Sequence, residues 1–196
     1  KGLETGGVFA VYSAELFLHS CAGQSLYSPK GGVIFSENSL ITMKLTELRA
    51  VSSSNGGALY LTSCEVFLLS CKFLQSVASS SGGSLYLKKG KARIQSCVFI
   101  ESISVFQGAA IYADSLQELY MIKITLSKNE VTEGGIYISG KANTIYFLSE
   151  VICEKNKGKG KGTCLMTKDV FMKIYNAIFQ YNDNVQNVIT LSSSIK

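Results

Sequence analysis

The stretch Ser52–Ser102, "SSSNGGALYLTSCEVFLLSCKFLQSVASSSGGSLYLKKGKARIQSCVFIES", decides the fold because it states one pattern twice. Each half contains Gly-Gly, a small residue and Leu-Tyr-Leu, and each half later contains Cys-x-Phe. A pattern that returns at a fixed interval of about 20 to 50 residues is the signature of a protein built by structural repetition. The interval between copies, and the residues that return in each copy, then predict the architecture.

Glycine pairs or their equivalents recur along most of the 196-residue chain. Their first members stand 25 or 26 residues apart and are Gly6, Gly31, Gly56, Gly82, Gly108 and Gly134. A degenerate copy follows at Lys161-Gly162, and a last half-copy runs through Val188–Leu191. Because glycine tolerates a positive φ and a close backbone approach, each pair is expected at a sharp corner.

Alignment of the copies places residues of the same character in columns. One column is Phe9, Ile34, Leu59, Leu85, Ile111, Ile136 and Leu165, and a second is Leu18, Met43, Leu68, Ile94, Met121, Leu148 and Ile174. Within a copy the apolar residues alternate with polar ones, as in "VFLLSCKF" (Val66–Phe73), which indicates β-strands with every second side chain pointing inward. A helical repeat would show a period of 3.6 and better helix formers.

These features predict an all-β protein, a right-handed parallel β-helix (β-solenoid) of about seven to eight coils of 25–27 residues. The whole chain, residues 1–196, is expected to be one β-helix segment and a fragment of a longer polypeptide. A turn column also recurs, and its members are Ser76, Ser102, Asn129, Asn156 and Asn182. Stacked amides at such a turn can form a hydrogen-bonded ladder along the axis, although Asn and Ser are also ordinary turn residues.

One outward column is aromatic and is the candidate interaction face. Its members are Phe35, Tyr60, Tyr86, Tyr112 and Tyr137, each one residue past an inward Leu or Ile. Alternation turns these side chains outward, and coil stacking spaces them about 5 Å apart. An exposed aromatic stripe is unusual for a monomer. It could bind a partner protein, be covered by flanking parts of the same polypeptide, or stack on sugar rings.

The titratable residues do not indicate an enzyme. A hydrolase of this shape needs two or three converging carboxylates, whereas the chain has only Asp114, Asp169 and Asp183, and its glutamates form no column. We therefore expect no catalytic residue, no cofactor and no metal site. The single histidine, His19, falls in an outward column and is expected on the surface.

Four of the six cysteines occupy inward columns, which favours free buried thiols. These four are Cys21, Cys71, Cys97 and Cys153, and the other two are Cys64 and Cys164. Cys71 and Cys97 are expected on adjacent coils within disulfide range, so that a bond between them is the alternative.

Charge and hydropathy exclude two classes of partner. The net charge of +5 comes mainly from scattered lysines, whereas a nucleic-acid binder concentrates its cations on one face. We therefore expect no nucleic-acid partner. The longest apolar runs are too short for a transmembrane segment.

The motifs "GGAL" (Gly56–Leu59), "GAAI" (Gly108–Ile111) and "FQYN" (Phe179–Asn182) resemble the repeats of chlamydial polymorphic outer-membrane proteins. The chain is also similar to the β-helix surface proteins of ciliates and other protists. Two copies depart from the motif, because "FLQS" and "FIES" have Ser in place of Asn. The resemblance covers the whole chain and implies the pectin-lyase-like fold and an adhesive role at the cell surface.

The expected function is therefore a non-catalytic rigid scaffold or adhesion module, extracellular or at the cell surface. It would bind protein partners, or assemble with itself, through the outward tyrosines and its coil ends. The alternative is a carbohydrate-binding or carbohydrate-active β-helix whose active residues lie outside this segment.

Overall fold

A computed structural model describes residues 7–140, 144–183 and 189–192. Every regular element in these ranges is a β-strand. The strands are β1 (Phe9–Tyr12), β2 (Glu15–His19), β3 (Ala22–Gln24), β4 (Ile34–Glu37), β5 (Leu40–Lys44), β6 (Glu47–Arg49), β7 (Ser52–Ser53), β8 (Leu59–Leu69), β9 (Lys72–Leu74), β10 (Val77–Ala78), β11 (Leu85–Gln95), β12 (Val98–Ile100), β13 (Ile103–Ser104), β14 (Ile111–Ser127), β15 (Glu130–Val131), β16 (Ile136–Ser139), β17 (Ile145–Glu154), β18 (Lys157–Gly158), β19 (Leu165–Lys168), β20 (Phe171–Tyr175), β21 (Ile178–Gln180) and β22 (Ile189–Ser192).

Each strand pairs in parallel with its equivalent one coil later, and this confirms the predicted parallel β-solenoid. Leu59 pairs with Leu85, for example, and Leu85 pairs with Ile111. Six complete turns run from Phe9 to Cys164, followed by an incomplete seventh, which is slightly fewer than the seven to eight coils expected. Gly6 and Val188, which belong to the first and last predicted copies, lie outside the described residues.

The glycine corners have the backbone conformation that the sequence predicted. Gly31, Gly56, Gly82, Gly108, Gly134 and Gly162 all have a positive φ, between 58° and 69°. A Cβ atom at Gly56 would collide with the carbonyl oxygen of Leu59. Within the described residues, each coil has two or three further bends made by non-glycine residues with a φ of about 50°, such as Ser63, Ser70 and Gln75. The sequence did not reveal these bends, because the residue types at them vary from coil to coil.

The inward columns form one continuous apolar core along the solenoid. Ile34, Leu59 and Leu85 are fully buried and stack on one another, as do Met43, Leu68 and Ile94 in the second column. Phe73 and Phe99 stack with ring centroids 5.0 Å apart. The coil interior is thus filled by like side chains on like, as the columns predicted.

The asparagines of the turn column form a hydrogen-bonded ladder in the interior of the coil. Asn129 Nδ2 donates to Asn156 Oδ1 (2.9 Å), and Asn156 Nδ2 donates to Asn182 Oδ1 (3.0 Å). The backbone N–H of Ser102 donates to Asn129 Oδ1 (2.8 Å). Because all of these residues are buried, the amides satisfy one another and tie adjacent coils together.

Candidate interaction faces

The aromatic column predicted from the sequence is a continuous stack of rings along the solenoid. We call Phe35, Tyr60, Tyr86, Tyr112 and Tyr137 the tyrosine ladder; parallel pairing places each member directly against the next. The ring centroids lie 5.4, 4.7, 4.7 and 5.4 Å apart, and successive ring planes are inclined by 13° or less. The rings therefore meet face to face.

The tyrosine ladder is less exposed than the sequence predicted. Phe35 is only 5% exposed and Tyr137 only 6%, while Tyr60, Tyr86 and Tyr112 are half-buried. Each ring covers the faces of its neighbours, and the glycine corner lies alongside, so that a Cβ at Gly56 would come within 3.0 Å of the Tyr86 Cβ. The expectation of an open aromatic stripe was therefore wrong, and part of the ladder is covered by its own coils.

The environment of Tyr86, Tyr112 and Tyr137 favours the neutral phenol by raising its pKa. Burial, with a smaller contribution from the Asp114 carboxylate, raises the pKa of Tyr112 to about 12. Burial also raises the pKa of Tyr86 and of Tyr137. What the ladder offers to a partner is therefore a row of neutral ring edges and hydroxyls, because stacking occupies the ring faces on which a sugar would stack.

A second outer face carries more exposed aromatic surface than the ladder. We call it the cation–aromatic face, and it consists of three outward columns on β2, β5, β8, β11, β14, β17 and β20. The first column is Glu15, Leu40, Glu65, Lys91, Glu118, Ile145 and Phe171; the second is Phe17, Thr42, Phe67, Arg93, Tyr120, Phe147 and Lys173; the third is His19, Lys44, Leu69, Gln95, Ile122, Ser149 and Tyr175.

Cations lie over the aromatic rings in this face. The Arg93 guanidinium lies 5.8 Å from the Phe67 ring centroid and 5.7 Å from that of Tyr120, and Lys44 Nζ lies 5.7 Å from the Phe17 ring centroid. Phe17 is 60% exposed and Tyr120 is 40% exposed. Sequence reasoning missed this face because no residue type occupies the same column on two successive coils. The alternation within β8, β11 and β14 could have revealed it.

The acidic residues considered for catalysis are spread over the solenoid. The expectation that the glutamates form no column was wrong, because Glu15, Glu65 and Glu118 share one outward column on alternate coils. Asp114 accepts hydrogen bonds from Ser115 (3.0 Å) and Ser139 (2.8 Å) and lies 4.0 Å from Lys88. His19 is exposed, as predicted, and its Nδ1 lies 3.1 Å from Ser20 Oγ. Within residues 7–140, 144–183 and 189–192, His, Cys, Asp and Glu side chains form no group of three that could hold a metal ion.

A groove lined mainly by polar side chains lies between the two faces, with a volume of about 600 Å³. Ser63, Lys89, Lys91, Ser115 and Gln117 contribute to its lining. Ser63, Lys89 and Ser115 are left-handed bends of successive coils.

The cysteines differ from the expectation at one position. Cys153 and Cys164 form a disulfide with Cα atoms 6.0 Å apart, so the prediction of a free Cys153 was wrong. The chain bends at Gly162 and returns over the core, which brings Cys164 opposite the inward Cys153. The other four are free thiols, and Cys64, Cys71 and Cys97 are buried. A hydrogen bond with Cys71, together with burial, raises the pKa of the Cys97 thiol.

The fold and the two faces define the chain as a parallel β-solenoid that carries aromatic residues on two of its outer faces. No known family model, curated protein or solved structure matches the chain. The resemblance to chlamydial and protist surface proteins therefore stays a prediction. Among the described residues, no helix is long and apolar enough to cross a membrane.

Proposed function

We propose that this chain is a rigid, non-catalytic scaffold or adhesion module that binds protein partners along its length. The observation that carries this proposal is the stacking of equivalent residues on successive coils along the solenoid axis. Backbone pairing, the asparagine ladder and the tyrosine ladder all run along the same axis. A surface held at such fixed intervals is suited to contacts that repeat along a rod.

The partner contacts proposed for the ladder involve Tyr60, Tyr86 and Tyr112, which retain exposed edges. Their hydroxyls are spaced by the coil repeat and can donate to or accept from a polypeptide. The coil ends are the second contact that we propose. An uncovered strand edge favours pairing with another strand.

The location that we propose is extracellular or at the cell surface. The Cys153–Cys164 disulfide supports this, because disulfides persist in oxidising compartments. The adhesive role also follows the resemblance of the glycine and Phe-x-x-Asn motifs to surface β-helix repeats of the pectin-lyase-like fold. That likeness is one of fold and motif, and it does not by itself carry a function.

Cross-linking mass spectrometry on the protein in its native material tests the proposal. Lys30 and Lys88 stand beside the ladder and provide reactive amines. We expect cross-links from them to another polypeptide, and we expect the double variant Tyr86→Phe/Tyr112→Phe to lose those cross-links while keeping its melting temperature. Links confined to the chain itself would overturn the proposed protein-binding role of the ladder.

A second candidate, carbohydrate binding, is favoured only by the polar groove. Its serine hydroxyls and lysines could hydrogen-bond a sugar. A glycan array probed with the wild-type chain and with Lys89→Ala tests this candidate. Binding that the variant loses would support it, and binding that is absent or unchanged would contradict it.

A further inference from the structure

We infer that the cation–aromatic face binds a second copy of this chain, with the two solenoids antiparallel and face to face. The inference goes beyond the proposed function, because it concerns a different face and holds whether or not the tyrosine ladder binds a partner. The face is the outer surface of a parallel sheet, and sheet surfaces pack against one another about 10 Å apart. Its aromatic and aliphatic side chains are exposed to an extent that indicates an interaction surface.

The order of residues in the face is self-complementary under a two-fold axis. The axis would lie parallel to the strands, between the coil of Arg93 and the coil of Tyr120. It places Lys91 opposite Glu118 of the second copy, and Arg93 opposite Tyr120 of the second copy. Each contact occurs twice, as a two-fold interface requires. The first is an ion pair and the second a cation–π contact.

The next coils outward match in the same way. Phe67 comes opposite Phe147 of the second copy, which pairs two aromatic rings. One coil further out, Leu40 meets Phe171 and Lys44 meets Tyr175, an apolar contact and a cation–π contact.

The remaining pairs of these coils carry no like charges. They are Gln95 with Ile122, Leu69 with Ser149, Glu65 with Ile145, and Thr42 with Lys173. The register is therefore free of opposed like charges over six coils.

A register one coil earlier, with the axis between the coils of Phe67 and Arg93, would oppose Lys91 to Glu65 and is also free of like charges. In that register Glu118 faces Leu40, so the Glu118→Lys variant described below distinguishes the two registers. Two other arrangements oppose like charges. An axis through the coil of Arg93 itself would oppose Arg93 to Arg93 and Lys91 to Lys91. A parallel arrangement, with the two-fold along the solenoid, would also oppose Arg93 to Arg93. Opposed like charges are costly in a desolvated interface.

The size of the face fits a weak dimer. Six coils at a rise of about 4.8 Å and three columns of alternate residues give a patch of roughly 30 by 17 Å, or roughly 500 Å² per copy. The total of roughly 1,000 Å² lies at the lower limit for a specific interface. A polyanion or polycation would require one sign of charge, whereas Glu65 and Glu118 flank Lys91 in this face.

Sedimentation velocity of the full chain, from about 1 to about 500 µM, tests the inference with two charge reversals. Wild type is expected to dimerise as the concentration rises. Lys91→Glu and Glu118→Lys each replace two attractive pairs by two repulsive ones and should each weaken dimerisation roughly 100-fold. An equimolar mixture of the two variants should restore the dimer. In the mixed dimer one pair joins the two introduced charges, which are opposite in sign, and the other pair joins the unchanged Lys91 and Glu118.

The mixture distinguishes repulsion between the two copies from repulsion between neighbouring residues within one copy. Lys91 and Glu118 are also neighbours on adjacent coils, so each variant carries a like-charge pair of its own, which mixing cannot relieve. Phe106→Ser, at an exposed phenylalanine outside the face, is the matched control for Tyr120→Ser. Only Tyr120→Ser should weaken the dimer.

Three results would overturn the inference. They are a monomeric wild type at every concentration, charge-reversal variants that dimerise like wild type, and a mixture of folded variants that stays monomeric. The first would leave the face to a different occupant. Circular dichroism melts of each variant establish that the chains compared are folded.

Discussion

The two outer faces are built on the same coils with the same spacing, and yet they have different physical characters. In the tyrosine ladder, one residue type repeats and the rings stack face to face at 4.7 Å between Tyr60, Tyr86 and Tyr112. In the cation–aromatic face, Arg93 separates Phe67 from Tyr120 and lies over both rings. The rings of the tyrosine ladder stack on one another, whereas the cation–aromatic face leaves more of its aromatic surface exposed to solvent.

The difference shows that the residue types in a column decide whether the column packs against itself or remains exposed. A repeated ring forms a self-covering structural element, because each coil supplies the partner of the next. A column of alternating rings and cations remains half-solvated and can be matched by another surface. The column that looked most like a binding site in the sequence is the more structural of the two.

The largest effect is expected from a substitution that tests which side chains point inward, an assignment on which both faces depend. Leu68 is fully buried and its neighbour Leu69 is exposed. Leu68→Asp would bury an unpaired carboxylate and should destabilise the fold by more than about 4 kcal/mol, whereas Leu69→Asp should cost less than about 1 kcal/mol. Urea unfolding of the two variants measures this difference. Equal midpoints would contradict the inward and outward assignment of both faces.

Removing one ring from each face compares how much the two faces contribute to the free energy of unfolding. Tyr112→Ser removes a half-buried, stacked ring and should cost about 2–3 kcal/mol, whereas Tyr120→Ser removes an exposed ring and should cost less than about 1 kcal/mol. Both are measured by chemical unfolding at a concentration where wild type is monomeric. A greater loss for Tyr120→Ser would reverse the comparison.

Alkaline pH should weaken the tyrosine ladder. Because the folded pKa of Tyr112 is raised to about 12, while an unfolded tyrosine titrates near about 10, the unfolded chain loses its proton first. The contribution of Tyr112 is complete below pH about 10 and is lost as the pH rises to about 12. The stability of Tyr112→Phe should therefore fall less steeply than that of wild type over this window. Parallel curves would show that the Tyr112 hydroxyl does not contribute.

The smallest expected effect is at the centre of the cation–aromatic face. Arg93→Gln removes two cation–π contacts and an exposed ion pair with Glu118 at 3.7 Å. Each is weak in solvent, so the monomer should lose about 1 kcal/mol or less. Arg49→Gln, which removes an exposed ion pair with Glu47, is the control. A loss above about 2 kcal/mol would indicate that the face is a structural element like the ladder.

The features that could be predicted are those in which one residue type recurs. The glycine corners, the inward columns and the asparagine ladder all repeat a residue type at the coil interval, because each contacts its own copy one coil away. The bends at Ser63, Ser70 and Gln75 could not be predicted, since many residues reach a left-handed conformation when the surrounding coil imposes it. The second face was missed because its neighbouring coils carry unlike residues, so that no residue type recurs at the interval of a single coil.

The sequence by itself determined the parallel solenoid, the direction in which each column points and the alignment of the tyrosines, because all three depend on local alternation and a regular interval. Only the tertiary structure decided how much of each tyrosine remains exposed and which cysteines are joined. Exposure depends on what the corner of the coil places beside a ring, and the Cys153–Cys164 bond depends on how the chain returns over its core. Both are set by packing across a coil, which the period of a repeat does not encode.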